Sequence, residues 1–237
     1  MSQAGTFSVA ENLERIRERI RAAGRRAGRS DEVTIVAATK LVPAERITEA
    51  YRAGLRHFGE NRVQELEAKR HQLSLPEATW RLIGHLQTNK AKRAAALFNR
   101  VDSLDSLRLA EKLAAAAAGL GRRLPVLVEV HLGEEPGKHG VEPDALVELA
   151  EKVAGLEALA LEGLMALPPY LEPPERVRPY FRRLRELAEA LAHRGLPGVE
   201  MRELSMGMSH DFEIAIEEGA TQVRLGTALF GPRPAKK

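Results

Sequence analysis

The sequence predicts one α/β domain, a single (β/α)8 TIM barrel that carries an extra N-terminal helix. Eight segments rich in strand-forming residues alternate with helical segments along the 237 residues, and this alternation is typical of a parallel sheet. Eight strands are also the number that closes such a sheet into a barrel. The alternative is an open doubly wound sheet. Its first strand-to-helix turn should carry a glycine-rich loop, but Thr39-Lys40-Leu41-Val42-Pro43 has no glycine.

The elements follow from periodicity and from turn residues. Residues 1–30 hold the extra helix, in which Leu13, Ile16 and Ile20 share one face, and we expect that face to pack on the barrel. Asp105 is expected to cap the alanine-rich helix that follows it. All 237 residues are taken as one domain. The predicted strands are Val33–Thr39, Leu55–Phe58, Trp80–Gly84, Arg100–Asp102, Pro125–Leu132, Ala158–Met165, Glu200–Ser205 and Gln222–Leu225.

Composition excludes several classes of function. The chain has no cysteine, so disulfides, thiolate metal sites and cysteine nucleophiles are excluded, and no metal site is predicted. A signal segment and a stretch long enough to cross a bilayer are both absent from the sequence, which makes the cytoplasm the expected location. With a net charge of +3, 4% aromatic residues and no binding motif, a nucleic-acid partner is not expected.

Lys40 is the first candidate for chemistry, because it stands at the end of a nearly apolar strand. Such an amine either marks the exit of the strand into water or reacts with a carbonyl group. Barrel closure would bring Gly226 and Thr227, just after the last strand, next to Lys40. The loop with Ser205 and Gly207 follows the preceding strand, and barrels often bind phosphate through the loops after strands seven and eight.

Alternation along the strands adds an arginine to this group. Ile35 and Val223 are expected to face the helices, whereas Lys40 and Arg224 are expected to point into the barrel. Arg224 then has two interpretations, an anion ligand or a buried ion-pair partner for Glu129 or Glu203. An amine beside a phosphate cradle suits pyridoxal 5'-phosphate (PLP). It suits a Schiff-base aldolase as well, and the spacing of these residues does not separate the two.

Longer stretches resemble a known family. The chain is similar to the PLP-binding homeostasis proteins, which have a barrel like that of alanine racemase, and the similarity runs from the first strand to the last. The stretches that carry it are Val36-Ala37-Ala38-Thr39-Lys40, His57-Phe58-Gly59-Glu60-Asn61-Arg62-Val63-Gln64-Glu65, Trp80-Arg81-Leu82-Ile83-Gly84-His85-Leu86-Gln87-Thr88-Asn89-Lys90, Lys138-His139-Gly140, Gly163-Leu164-Met165, Leu204-Ser205-Met206-Gly207-Met208-Ser209-His210-Asp211 and Arg224-Leu225-Gly226-Thr227-Ala228-Leu229-Phe230-Gly231.

The resemblance implies a set of cofactor contacts. It implies that Lys40 carries PLP as a Schiff base, that Asn61 and Arg224 lie close to the cofactor, and that Met206 lies near its ring. The phosphate contacts implied are Ser205, Gly207, Gly226 and Thr227. His131 stands where the family pattern leads us to expect asparagine, and it is left out of the predicted site. Lys138 is a second amine near the expected mouth of the barrel.

The resemblance implies a protein of intracellular PLP homeostasis and carriage, without an established catalytic turnover. The alternative is a PLP-dependent amino-acid racemase or a related fold-type III enzyme. A racemase needs acid–base groups on both faces of the substrate carbon, and the resemblance implies that alanine racemase takes one of them, a tyrosine, from a second domain. We expect this chain to lack that domain, to be a monomer, and to meet apo PLP-dependent enzymes transiently.

Overall fold

The computed structural model describes residues 8–133 and 139–232, and in it eight parallel strands form a closed barrel in sequence order. Each strand pairs with the next, and β8 pairs with β1 through Arg224 and Val36. The predicted fold class is confirmed. The strands are β1 (Thr34–Ala38), β2 (His57–Glu60), β3 (Thr79–Leu82), β4 (Arg100–Leu104), β5 (Leu124–Glu129), β6 (Leu159–Met165), β7 (Val199–Met208) and β8 (Gln222–Leu225).

Helices surround the barrel. They are α1 (Val9–Arg26), α2 (Ala44–Arg52), α3 (Val63–Arg70), α4 (Ala91–Leu97), α5 (Leu107–Gly119), α6 (Leu146–Ala154), α7 (Arg178–Ala192), α8 (Phe212–Glu217) and α9 (Thr227–Phe230). Short 3-10 turns cover Thr88–Lys90, Pro143–Ala145 and Pro174–Val177. Within the part of the chain described, no helix combines the length and the apolar character needed to cross a membrane.

The extra helix α1 lies against the outer layer of helices. Leu13 and Ile16 are buried in the main apolar cluster, and Ile20 packs against that cluster. The Asn12 side chain donates to the Leu229 carbonyl at 3.0 Å, and Arg19 forms a two-pronged ion pair with Glu213 on α8. The helix α1 therefore packs against α8 and α9. The assignment of residues 1–237 to one domain stays a prediction.

Side chains on the two faces of the barrel strands pack in two separate layers, one against the helices and one inside the barrel, as alternation predicts. Ile35 and Val223 belong to the apolar cluster between barrel and helices. Val36 is completely buried on the other face, and a Cβ added at Gly59 would come within 3.0 Å of Val36 Cγ1 and 2.7 Å of Ile83 Cδ1. Around Gly59, the interior of the barrel is thus packed closely by side chains.

Several predicted strand bounds and one predicted helix cap differ from the structure. β2 runs over His57–Glu60 and not over the predicted Leu55–Phe58, because pairing with β1 and β3 decides its register and overrides residue propensity. Asp105 does not cap α5, which begins after Ser106 without a side-chain cap. The Asp105 carboxylate lies 3.0 Å from His85 Nδ1 instead, so a tertiary contact replaces the predicted local one.

Candidate functional site

Lys40 lies in the loop directly after β1, at the carboxyl end of the barrel. Its half-buried side chain lines a cavity of about 800 Å³ together with Asn61, His85, Lys90 and His139. This volume lies in the range of about 300–1,000 Å³ that small-molecule pockets occupy. Two predicted site residues, Lys40 and Asn61, therefore share one cavity. The predicted second amine, Lys138, lies outside the described residues.

Thr39, the residue before Lys40, forms hydrogen bonds with three other residues. The Thr39 hydroxyl donates to Glu60 Oε1 at 2.7 Å, and its backbone N–H donates to the Gly59 carbonyl at 2.9 Å. Lys69 Nζ donates to the Thr39 carbonyl at 2.7 Å and to Glu60 Oε1 at 2.8 Å. Burial raises the pKa of the Glu60 carboxyl, and a hydrogen bond with Glu65 adds to that rise. The network fixes the backbone that carries Lys40.

The residue after Lys40 has an unusual backbone conformation. Leu41 has φ = 60° and is 59% exposed. A non-glycine residue in this left-handed region costs about 1–2 kcal/mol, and such strained residues cluster at functional sites. Lys40 thus stands between a residue fixed by hydrogen bonds and a strained one.

Arg224 lies inside the barrel end, as predicted, and is buried, with 4% of its surface exposed. Its guanidinium donates to Ser205 Oγ at 2.6 Å and to the Ala166 carbonyl at 2.8 Å. Burial lowers the pKa of the Arg224 guanidinium, although the charges of Glu129, Asp102 and Asp211 oppose that shift. Arg224 therefore spans β8, β7 and the end of β6, and the predicted residues Ser205 and Arg224 are in direct contact.

The direct ion pairs considered for Arg224 are absent among the described residues. Glu203 pairs instead with Arg81 at 3.1 Å and with Arg100 at 2.9 Å. Glu129 is 4% exposed and its Oε2 atom has no hydrogen-bond partner. Burial raises the pKa of Glu129 to about 7, and the charge of Asp105 adds to the rise while that of Arg224 opposes it. Burial thus makes the Glu129 carboxyl harder to ionise, although the charge of Arg224 lies near enough to oppose that effect.

A hydrogen bond joins the turn after β7 to the turn after β8. Ser209 Oγ accepts the backbone N–H of Ala228 at 3.1 Å, which ties the first loop to the start of α9. Gly207 has φ = 90°, and a Cβ there would lie 2.6 Å from Ala215 Cβ. Only glycine fits this close approach. Thr227 is exposed and begins α9 behind Gly226.

Met206 differs from the other predicted site residues. Its side chain is fully buried and belongs to the main apolar cluster, so the part of Met206 available to a ligand at the strand ends is its backbone. His131 is 9% exposed, and its backbone N–H donates to the Val141 carbonyl at 2.9 Å. The cofactor contacts given to Met206 and the other predicted site residues stay predictions, and His131 was not among them.

Sequence reasoning missed a group of three side chains at the same barrel end. His85, Asp105 and His139 follow three neighbouring strands, and one ligand atom of each lies within 4.8 Å of the others. The neighbour rule for parallel strands could have found the group, because loops after adjacent strands meet at one edge. It was missed because Asp105 has the sequence context of a helix cap.

The comparisons with known proteins extend over nearly the whole chain. Residues 12–234 match the model of the family described as alanine racemase, N-terminal domain. The pyridoxal phosphate homeostasis protein of Aquifex aeolicus is 48% identical over 228 residues, which are 96% of this chain and 99% of that protein. The chain belongs to the pyridoxal phosphate homeostasis protein family. The Escherichia coli protein of this family is 40% identical over 97% of this chain and 98% of its own length.

Solved structures that are similar to this chain have the same fold. PipY of Synechococcus elongatus with PLP bound superposes with a TM-score of 0.82 at 39% identity, over 94% of this chain and 100% of PipY. An alanine racemase of Clostridium difficile has a TM-score of 0.69 at 16% identity. That level of identity supports the common fold alone. The match covers 97% of this chain but 58% of the racemase.

Proposed function

We propose that this chain binds PLP through Lys40 and acts in PLP homeostasis, holding the cofactor reversibly and releasing it to apo PLP-dependent enzymes. The proposal extends to a monomer that acts in the cytoplasm, as the sequence leads us to expect. The observation that supports it best is the position of Lys40, in a cavity of about 800 Å³ at the barrel end, in a family whose curated members are named for PLP homeostasis.

The residues at this barrel end fit the chemical parts of PLP. The Lys40 amine suits the aldehyde, and Asn61 lies in the same cavity. When bound, PLP supplies an aldehyde that condenses with a lysine amine to a Schiff base, with loss of one water. The phosphate dianion suits the end of β7 and the turn after β8, where backbone N–H groups of Gly207, Gly226 and Thr227 would hold it.

Arg224 and Ser205 would stabilise the backbone that is proposed to hold the phosphate. Two of the Arg224 donors are already taken by Ser205 Oγ and the Ala166 carbonyl, which fixes the guanidinium in position. A fixed positive charge at the strand ends favours an anionic ligand. Met206 would contribute through its main chain, because its side chain is in the core.

The experiment is reduction with borohydride after PLP is added, followed by mass mapping of the modified lysine. We expect a visible absorption band in the wild type and a reduced adduct on Lys40. Lys40→Ala should lose the adduct and retain weaker binding through the phosphate. Lys90→Ala is the matched control, because it removes another amine from the same cavity and should keep the adduct. A colourless protein, or an adduct on Lys138, would count against Lys40 as the anchor.

The alternative function, a PLP-dependent racemase, gives a different result in the same preparation. Steady racemisation of an amino acid that is lost in Lys40→Ala would favour it. Tyr170 is the exposed tyrosine to test as its second acid–base group. Its hydroxyl donates to Glu172 Oε1 at 2.7 Å and its ring stacks on His210, which ties it to its own loop and to the loop after β7.

A further inference from the structure

His85, Asp105 and His139 form a cluster at the carboxyl end of the barrel that the PLP contacts do not use. His85 follows β3, Asp105 follows β4, and His139 belongs to the connection after β5. The imidazole rings of His85 and His139 are stacked, with centroids 3.5 Å apart and planes 6° apart. Asp105 Oδ2 lies 3.0 Å from His85 Nδ1. The connections after three neighbouring strands thus bring two imidazoles and one carboxylate close together.

We propose that this cluster is a binding site for a divalent transition-metal ion, with Zn²⁺ as the best fit. One ligand atom from each residue lies within 4.8 Å of the other two. Metal–ligand bonds of about 2.0–2.1 Å in a tetrahedral site place ligand atoms roughly 3.3 Å apart. The 3.0 Å contact between His85 Nδ1 and Asp105 Oδ2 is already close to that separation.

Coordination of a metal by all three residues requires one further change, a movement of the His139 side chain. A metal ion cannot lie in the planes of two parallel rings at once, so one imidazole must tilt before both can coordinate it. His139 and His85 are exposed residues, and His139 can tilt toward His85 and Asp105 without opening the core. Coordination through His85 Nδ1 requires the neutral tautomer with its N–H on Nε2, because a nitrogen coordinates a metal only when it carries no proton.

The donor set decides the class of metal. Imidazole nitrogen suits zinc, copper and nickel, whereas magnesium and calcium prefer sites made of oxygen ligands. Two neutral imidazoles and one carboxylate carry a net charge of −1, which favours the binding of a divalent cation. Three protein ligands leave a fourth position open, and His85 and His139 also line the cavity that contains Lys40. The metal would therefore stand at the mouth of that cavity.

The test is a Zn²⁺ titration of untagged, PLP-free protein in competition with a chromogenic chelator. We expect one Zn²⁺ per chain in the wild type, with the affinity reduced at least about tenfold in His85→Ala and in His139→Ala. His193→Ala is the matched control, because His193 is exposed at the end of α7 and bonds the Glu189 carbonyl. It should bind Zn²⁺ as the wild type does.

Co²⁺ provides a second, spectroscopic measurement on the same proteins. Its visible absorption should indicate four-coordinate N/O ligation in the wild type and change in Asp105→Asn, a variant of nearly the same size. The proposal is overturned if the wild type binds no Zn²⁺ more tightly than the double variant His85→Ala/His139→Ala does. It is also overturned if His193→Ala lowers the affinity as much as either cluster variant. Neither outcome depends on PLP binding, so the proposed function is tested separately.

Discussion

Gly207→Ala should destabilise the protein because the position requires glycine for two separate reasons. Gly207 has φ = 90°, and an added Cβ would lie 2.6 Å from Ala215 Cβ and 3.0 Å from Phe212 Cα. The left-handed conformation costs a non-glycine residue about 1–2 kcal/mol, and overpacking costs about 1–3 kcal/mol more. We therefore expect the free energy of unfolding to fall by about 2–5 kcal/mol.

The variant Gly121→Ala distinguishes the cost of the left-handed backbone from the cost of the steric overlap. Gly121 has φ = 63°, but nothing lies within 4 Å of its added Cβ, so that variant should lose only about 1–2 kcal/mol. Urea unfolding and thermal melting of both variants measure the difference, which corresponds to about 2–12 °C in Tm for a domain of this size. PLP affinity should fall in Gly207→Ala alone, since the end of β7 that contains Gly207 forms part of the proposed phosphate cradle. Equal destabilisation of the two variants would refute the close approach to α8.

Two further predictions concern buried charges. Because burial raises the pKa of Glu129 from 4.5 to about 7, the native state binds more protons than the unfolded state between these values. Stability should be fully present below about pH 4.5 and be lost as the pH rises through about 7, by up to about 3 kcal/mol. Glu129→Gln should flatten that slope in urea titrations, and an unchanged slope would contradict the assignment. Arg224→Lys loses the paired contacts to Ser205 and Ala166, so unfolding free energy should fall by about 2–4 kcal/mol. Melting experiments that show no loss would argue against these contacts.

The fold could be predicted from the sequence because strand patterns and turn residues act locally. β8 has the predicted bounds Gln222–Leu225, since alternating side chains and the following glycine mark it clearly. β7 extends to Met208, beyond the predicted Ser205. Its last residues are small or flexible ones with weak strand preference, and pairing of Met208 with Arg224 decides the end of the strand. Local patterns do not include that pairing.

In the candidate site, sequence could predict a position only where a charged residue stands out against an apolar strand. Lys40 directly follows an apolar strand and Arg224 lies at an inward position of another, and the structure places both at the barrel end. Glu60 and Lys69, by contrast, support Thr39 through contacts between a strand end and a helix. Such contacts depend on the angle at which α3 packs on the barrel, and sequence spacing does not specify that angle.

Leu41 provides a final test of how the chain restrains Lys40. Its left-handed backbone, φ = 60°, stays in place because hydrogen bonds fix Thr39 two residues earlier. Leu41→Gly relieves about 1–2 kcal/mol of strain and loses about 0.4–1 kcal/mol through the freer unfolded chain, so stability should stay equal or rise. Leu120→Gly is the matched control. Leu120 is 52% exposed and has φ = −99°, so glycine there relieves nothing and should destabilise the protein. If urea unfolding finds both variants equally destabilised, Leu41 is not strained. If Leu41→Gly is the more stable of the two, the strain beside Lys40 is kept at the expense of stability, as expected of a residue that positions a reactive amine.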